Sequence, residues 1–173
     1  MFGVLRLGHR HERDKRITTH LALLSRVYGC KEFHLTVKDS SVTNSLKGVN
    51  RRFGDVTKIV ENTKPKELVR VWKGTTVHLS MYGDRIEKLD EIDKNENILF
   101  IVGAEKVPPW VYNESDYNIS IGNQPHSEVS ALAIALYRMY GDAPLYADRH
   151  GEMTVIPEPR GKNVMTNSAR EGI

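Results

Sequence analysis

Apolar positions along the chain follow two alternating periods. "VLRLG" at residues 4–8 is a short apolar run closed by glycine, and beyond a charged loop Ile17, Leu21, Leu24 and Tyr28 recur at helical spacing in "RITTHLALLSRVYG". This predicts a strand, a loop and a helix, and the unit repeats. "EFHLTV" (32–37) reads as a strand, "VTNSLKGVNRRF" (42–53) as a helix, "DVTKIV" (55–60) as a strand and "PKELVRVW" (65–72) as a short helix with proline in its first turn. Two more strands, "TTVHLSM" (75–81) and "NILFIV" (97–102), flank the charged segment "DRIEKLDEIDKNE", and "DYNISIG" (116–122) supplies a sixth. From Ser127 to Tyr140, the residues Val129, Leu132, Ala133, Leu136 and Tyr140 form one apolar stripe, the clearest helix in the chain. Alternating strands and helices predict an α/β fold: a mostly parallel sheet with right-handed crossovers, flanked by helices on both faces.

After Gly141 the pattern dissolves into proline, glycine and charge, with "MTVI" (153–156) as the one expected strand. We therefore divide the chain into a domain over 1–141 and a C-terminal extension over 142–173, whose last ten residues are expected to be poorly ordered.

Composition narrows the class. A chain of 173 residues fits one domain, and 39% hydrophobic with 27% charged residues is the balance of a globular protein. No apolar run approaches the ~18 residues of a membrane span, and "MFGVLRLGHRHERDKR" lacks the apolar centre of a secretory signal, so a cytoplasmic protein without membrane contact is expected. Cys30 is the single cysteine; it has no disulfide partner and no companions at metal-ligand spacing, and reads as a small core residue. The net charge of +3 is local: Arg6, Arg10, Arg13, Lys15 and Arg16 against Glu12 and Asp14 account for all of it. Such a cluster is what phosphate contacts require, although a solvated charged loop would look the same.

Candidate chemistry sits in the loops after the later strands. In an open α/β sheet, ligands bind in the crevice beyond the carboxyl ends of the strands. "HLSMYG", "VGAEKVPP" and "SIGNQPHSEV" occupy three such ends. Gly83, Gly103 and Gly122 permit a close backbone approach, while Pro108, Pro109 and Pro125 stiffen the loops. Ser127 is placed to cap the long helix, so free amides would face the loop. No G-x-G-x-x-G or G-x-x-x-x-G-K-[ST] fingerprint is present, which argues against a standard dinucleotide or nucleoside triphosphate site. His20, His78 and His126 are too scattered to suggest a metal, and there is no G-x-S-x-G elbow for a nucleophilic serine.

Taken in order, "LGHRHERDKRITTHLALLSR", "VHLSMYG", "VGAEKVP" and "IGNQPHSEVSALA" resemble the archaeal tRNA 2'-O-methyltransferases that modify the T-loop cytidine at position 56, within the SPOUT superfamily. The resemblance runs to about residue 164. It implies a SPOUT-type fold with a C-terminal trefoil knot over about 75–141, S-adenosyl-L-methionine held in that knot, a tRNA substrate, no metal, and a homodimer whose active site lies at the subunit interface. Carried over residue by residue, it assigns the cofactor to Leu79, to Gly103, Ala104, Glu105, Lys106 and Val107, and to Ile121, Gly122, Asn123, Gln124, Pro125, His126, Ser127 and Glu128; Gly83, in the first of the three loops, is counted with them as cofactor-binding. It also implies an arginine of the first motif near the target hydroxyl: Arg16, then Arg13, then Arg10. Arginine is effectively always protonated, so its role would be to polarise the hydroxyl or hold the adjacent phosphate. His20 is better suited to take a proton, the alternative being a buried histidine on the first helix. Methylation of another RNA position or of a base nitrogen, a non-catalytic RNA-binding knot protein, and an unrelated α/β nucleotide-binding protein are the competing readings.

Overall fold

The computed structural model describes residues 1–54, 56–104 and 106–167. Strands β1 (Phe2–Arg6), β2 (Glu32–Leu35), β3 (Lys58–Val60), β4 (Thr75–Ser80), β5 (Asp84–Arg85), β6 (Ile98–Val102) and β7 (Tyr117–Ser120) form one sheet in the order β3-β2-β1-β6-β4-β7-β5. Every neighbouring pair in it is parallel. β1 and β6 lie at its centre and are buried along their whole length, as expected of parallel strands covered on both faces.

Alternate residues of these strands feed two cores. Phe2, Val4, Phe100 and Val102 pack with Leu21 and Ala22 of α1 (His11–Val27), Val42 and Leu46 of α2 (Ser40–Phe53), and Leu132 and Leu136 of α5 (Glu128–Tyr140). Leu5, Leu99 and Ile101 pack with Val69 of α3 (Pro65–Val71) and Val111 of α4 (Pro109–Glu114) on the other face. Each such fully buried aliphatic side chain stabilises the fold by ~1.5–3 kcal/mol relative to exposure.

The strand order positions the site. β6 inserts between β1 and β4, and β7 returns on the outer side of β4, so the carboxyl ends of β1, β6, β4 and β7 stand side by side. The three glycine- and proline-bearing loops therefore open along one stretch of the sheet edge.

Several elements differ from the periodicity. α1 starts at His11 rather than Arg16, because the Asp14 carboxylate binds back to the Arg10 amide and guanidinium and closes a charged first turn. α4 is an unexpected helix of six residues, begun by Pro109 and burying one side chain, Val111. The charged segment after β4 contains β5 and a 3-10 turn over Ile86–Glu91 that buries Leu89. In the extension, β8 (Met153–Ile156) pairs antiparallel with β9 (Asn163–Thr166) in a separate two-stranded sheet. Arg149 Nη2 reaches the Val27 carbonyl at 3.1 Å, and Gly151 lies flat against Phe53 and Gly54, which fixes the extension to the ends of α1 and α2.

Candidate functional site

A cavity of about 400 Å³ opens at the carboxyl edge of the sheet. Leu79, Ser80, Met81 and Tyr82 line it from the end of β4, and Gly103, Ala104 and Val107 from the loop after β6. Tyr112 of α4 closes a third side, Pro125, His126 and Glu128 a fourth, and Arg10, Arg13, Asp14 and Ile17 of α1 and its approach the fifth.

Local hydrogen bonds hold these loops in shape. Asn123 donates to the Met81 carbonyl at 3.1 Å and to Ser120 Oγ at 3.2 Å, tying the loop after β7 to the loop after β4. His126 Nδ1 lies 2.7 Å from the Gln124 carbonyl, across the restricted Pro125. Ser127 Oγ accepts the Ser130 amide at 3.1 Å and caps α5. Gly103 is required by packing, since a Cβ there would collide with Val107, which folds back over it.

Charged side chains gather in the cavity lining and, in the case of Arg6, behind it. Arg6, at the end of β1, is fully buried, with Nη2 2.7 Å from Glu128 Oε1, while its Nε and Nη1 make no hydrogen bond. Burial lowers the Arg6 pKa, opposed by the neighbouring Glu128 and Asp14 carboxylates. Asp14 Oδ2 takes the Arg10 amide and Nε, both at 3.0 Å, and Oδ1 takes Nη2 at 3.3 Å, so hydrogen bonds from Arg10 hold its carboxyl below the usual range. The lining thus brings together two arginines, two carboxylates and a histidine.

Next to the cavity, His9 Nδ1 meets Thr18 Oγ1 and His9 Nε2 meets Asp39 Oδ2, both at 2.8 Å, and His11 Nδ1 stands 3.3 Å from the same Asp39 oxygen. His9, His11 and Asp39 have atoms able to ligate a metal within 4.8 Å of one another, a grouping that the sequence reading missed. The hydrogen bonds account for its geometry: they join the approach of α1 to the start of α2.

Of the predicted site residues, Leu79, Gly103, Ala104, Val107, Pro125, His126 and Glu128 line the cavity together with Arg10 and Arg13. Lys106, Gly83, Ile121, Gly122, Asn123, Gln124 and Ser127 lie outside its lining, several of them shaping it from behind; Glu105 lies outside the described residues. Gly83 has φ +100 and its Cα faces the Asn118 carbonyl, so its role is to let the chain turn beside β7. Arg16 and His20, first choices for catalysis, are exposed on α1 and do not line this cavity, and His20 is not the buried helix residue weighed as its alternative. Sequence reading missed Tyr82 and Tyr112, and it named Asp14 and the buried Arg6 only as members of a charged cluster. Tyr112 follows the proline loop directly, and the aromatic content of "PPWVYNE" was the available signal.

Comparison with known proteins bears on this arrangement. The family described as tRNA ribose 2'-O-methyltransferase, aTrm56, matches residues 53–165. The tRNA (cytidine(56)-2'-O)-methyltransferase of Ignicoccus hospitalis is 48% identical over 94% of this chain and 76% of its own length. The protein of the same name from Methanosarcina mazei is 45% identical over 95% of this chain and 96% of its own. Among solved structures, the SpoU methyltransferase AviRb of Streptomyces viridochromogenes, in complex with AdoMet, superposes with a TM-score of 0.56 at 16% identity, covering 80% of this chain and 56% of that one. The putative methyltransferase Lpg2936 of Legionella pneumophila, with bound SAM, gives 0.55 at 12% identity over 82% of this chain and 65% of that one. At such identities the two structures speak to the fold.

Proposed function

The chain belongs to the tRNA ribose 2'-O-methyltransferase family, and from that premise we propose that it transfers a methyl group from S-adenosylmethionine to the ribose 2'-hydroxyl of the T-loop cytidine 56 of tRNA. The observation that carries this reading is the convergence of three preorganised loops and a basic helix start on one cavity. Its volume falls within the ~300–1,000 Å³ of small-molecule sites.

The cofactor occupies the side formed by Leu79, Gly103, Ala104 and Val107, with Glu105 and Lys106 on the same loop and Ile121 to Glu128 on the next. Glycine at 103 and proline at 125 suit contacts made by backbone rather than by side chains. Arg10 and Arg13 line the same cavity and hold the RNA phosphate and the hydroxyl; Arg16, on the exposed face of α1, serves the RNA or the site of a second protomer. Positioning the hydroxyl in line with the methyl group supplies a large part of the rate, since alignment of this kind is worth ~7–11 kcal/mol of barrier. The cofactor supplies an electrophilic methyl on sulfonium, and no metal takes part.

The residues over about 75–141 form the SPOUT trefoil knot, and 142–173 are an extension of that domain. The working unit is a homodimer: Ile134 and Tyr137 on the outer face of α5 are exposed, as are Leu145 and Tyr146 just beyond it. Among the described residues no helix is long and apolar enough to cross a membrane, and the enzyme acts in the cytoplasm on its tRNA.

The reading is tested by incubating the protein with labelled S-adenosylmethionine and unmodified tRNA transcript and mapping the product. Ribose methylation at cytidine 56, lost when that nucleotide is replaced, is expected. Label on a base nitrogen or at another position would change the assigned substrate.

A further inference from the structure

Methyl transfer requires an acceptor for the proton of the 2'-hydroxyl, and the choice of that acceptor rests on the proposed 2'-O-methylation. Most ionisable groups of the cavity wall are unsuited to the task. Arg10 and Arg13 stay protonated at neutral pH. Asp14 has both oxygens engaged by Arg10. Glu128 holds Oε1 against the guanidinium of the fully buried Arg6, so a proton arriving there would leave a buried cation without its counter-charge. Tyr82 and Tyr112 carry phenols, which must ionise before they can accept.

His126 differs from all of these. Its Nδ1 is 2.7 Å from the Gln124 carbonyl oxygen, which can only accept, so the shared proton resides on Nδ1 and the lone pair on Nε2. The imidazole is thereby fixed in the tautomer that a base needs, the arrangement by which a hydrogen bond at Nδ1 prepares Nε2 in hydrolytic triads. Pro125 limits the backbone on one side, and the Ser127 cap of α5 limits it on the other.

We propose that His126, through Nε2, is the catalytic residue that accepts the ribose 2'-hydroxyl proton. The O–H bond breaks with its electron pair left on oxygen and its proton on Nε2. The oxygen forms the new bond to the methyl carbon as the carbon–sulfur bond breaks with its pair going to sulfur, turning a sulfonium into a thioether. The imidazolium then returns its proton to water, and no oxidant or reductant is needed.

Single-turnover methyl transfer to tRNA transcript by full-length His126→Ala and His126→Gln, alongside equilibrium binding of S-adenosylmethionine and of tRNA, tests the assignment. Both variants are expected to be slower by about 10²–10⁴-fold, the range for loss of a general base, with tRNA affinity kept and cofactor affinity changed far less than the rate, since the loop around His126 meets the cofactor through its backbone. Imidazole in the buffer should restore part of the rate to His126→Ala. A variant that reacts at the wild-type rate, or a slow His126→Ala that imidazole leaves unchanged, overturns the assignment, as does a loss of cofactor affinity large enough to explain the slower rate. Wild-type protein that binds cofactor but leaves cytidine 56 unmodified overturns the function itself, an outcome distinct from active variants.

Discussion

At the start of α2 the Asp39 carboxylate serves two elements at once. Its Oδ1 accepts the Ser41 amide at 2.9 Å as a helix cap, and its Oδ2 takes His9 Nε2 at 2.8 Å from the approach to α1. Burial opposes the charge, but hydrogen bonds from Ser41 and His9 outweigh it and hold the carboxyl well below the usual carboxylate range. A depressed folded pKa contributes stability above the unfolded value of ~3.9, and that contribution is lost as pH falls below it toward the folded value. Asp39→Ala should therefore cost about 2–3 kcal/mol at neutral pH, from a lost cap and an unsatisfied buried histidine. Urea denaturation at a series of pH values checks this: the gap to wild type should narrow as the medium is acidified below about pH 4. A gap independent of pH would remove the carboxylate's charge from the account. Cys30 shows the opposite case, a lone residue read correctly from its type: it is fully buried, and burial pushes its thiol pKa up, away from reactivity.

Between elements, the critical contact is the seat of the extension. Gly54 ends α2 with φ +101, and a Cβ there would run into the Arg149 carbonyl, while Gly151 lies against the same turn. Gly54→Ala should release the β8-β9 hairpin, costing ~1–3 kcal/mol for the strained backbone alone. Limited proteolysis with mass mapping should then find cuts between residues 142 and 167 before any in the parallel sheet; unchanged protection of that stretch would contradict the seat. Elements that bury an apolar stripe, such as α5 and the strands β1 and β6, were legible because burial writes a period into the sequence. α1 began earlier than its stripe because Asp14 and Arg10 hold its first turn by polar contacts, which leave no period. β9 escaped for the same reason, since Val164 and Met165 are exposed and Asn163 is polar. The site loops were legible from glycine and proline, but Arg6 looked like part of a basic surface cluster; only the sheet, by placing the end of β1 beneath α5, makes it a buried partner of Glu128. The insertion of β6 between β1 and β4 is likewise a non-local outcome that neither strand records.

At the scale of the whole molecule, Arg16 and His20 lie outside the cavity lining of their own chain. Both are exposed on α1, and α1 packs beside α5, whose outer face carries Ile134 and the 57%-exposed Tyr137, with Tyr146 80% exposed just beyond. An apolar face of this kind next to basic side chains suits a two-fold pairing of copies, in which the same patch meets itself. Such pairing would carry α1 of one protomer toward the cavity of the other. If copies pair in this way, the wild type should be dimeric by light scattering, and Ile134→Asp combined with Tyr137→Glu should give a folded monomer without methyl transfer; a wild-type protein that is monomeric would rule the pairing out. Placement in trans has a sharper consequence. Gly103→Val crowds the loop after β6 against Val107 and should silence its own site, and, if Arg16 is catalytic, Arg16→Ala should silence the site that it serves. If Arg16 crosses the interface, a heterodimer of the two variants pairs an intact cofactor loop with an intact Arg16, and co-expressing them restores activity that neither homodimer has. If it acts within its own chain, every site in the mixture carries one defect and the activity stays lost.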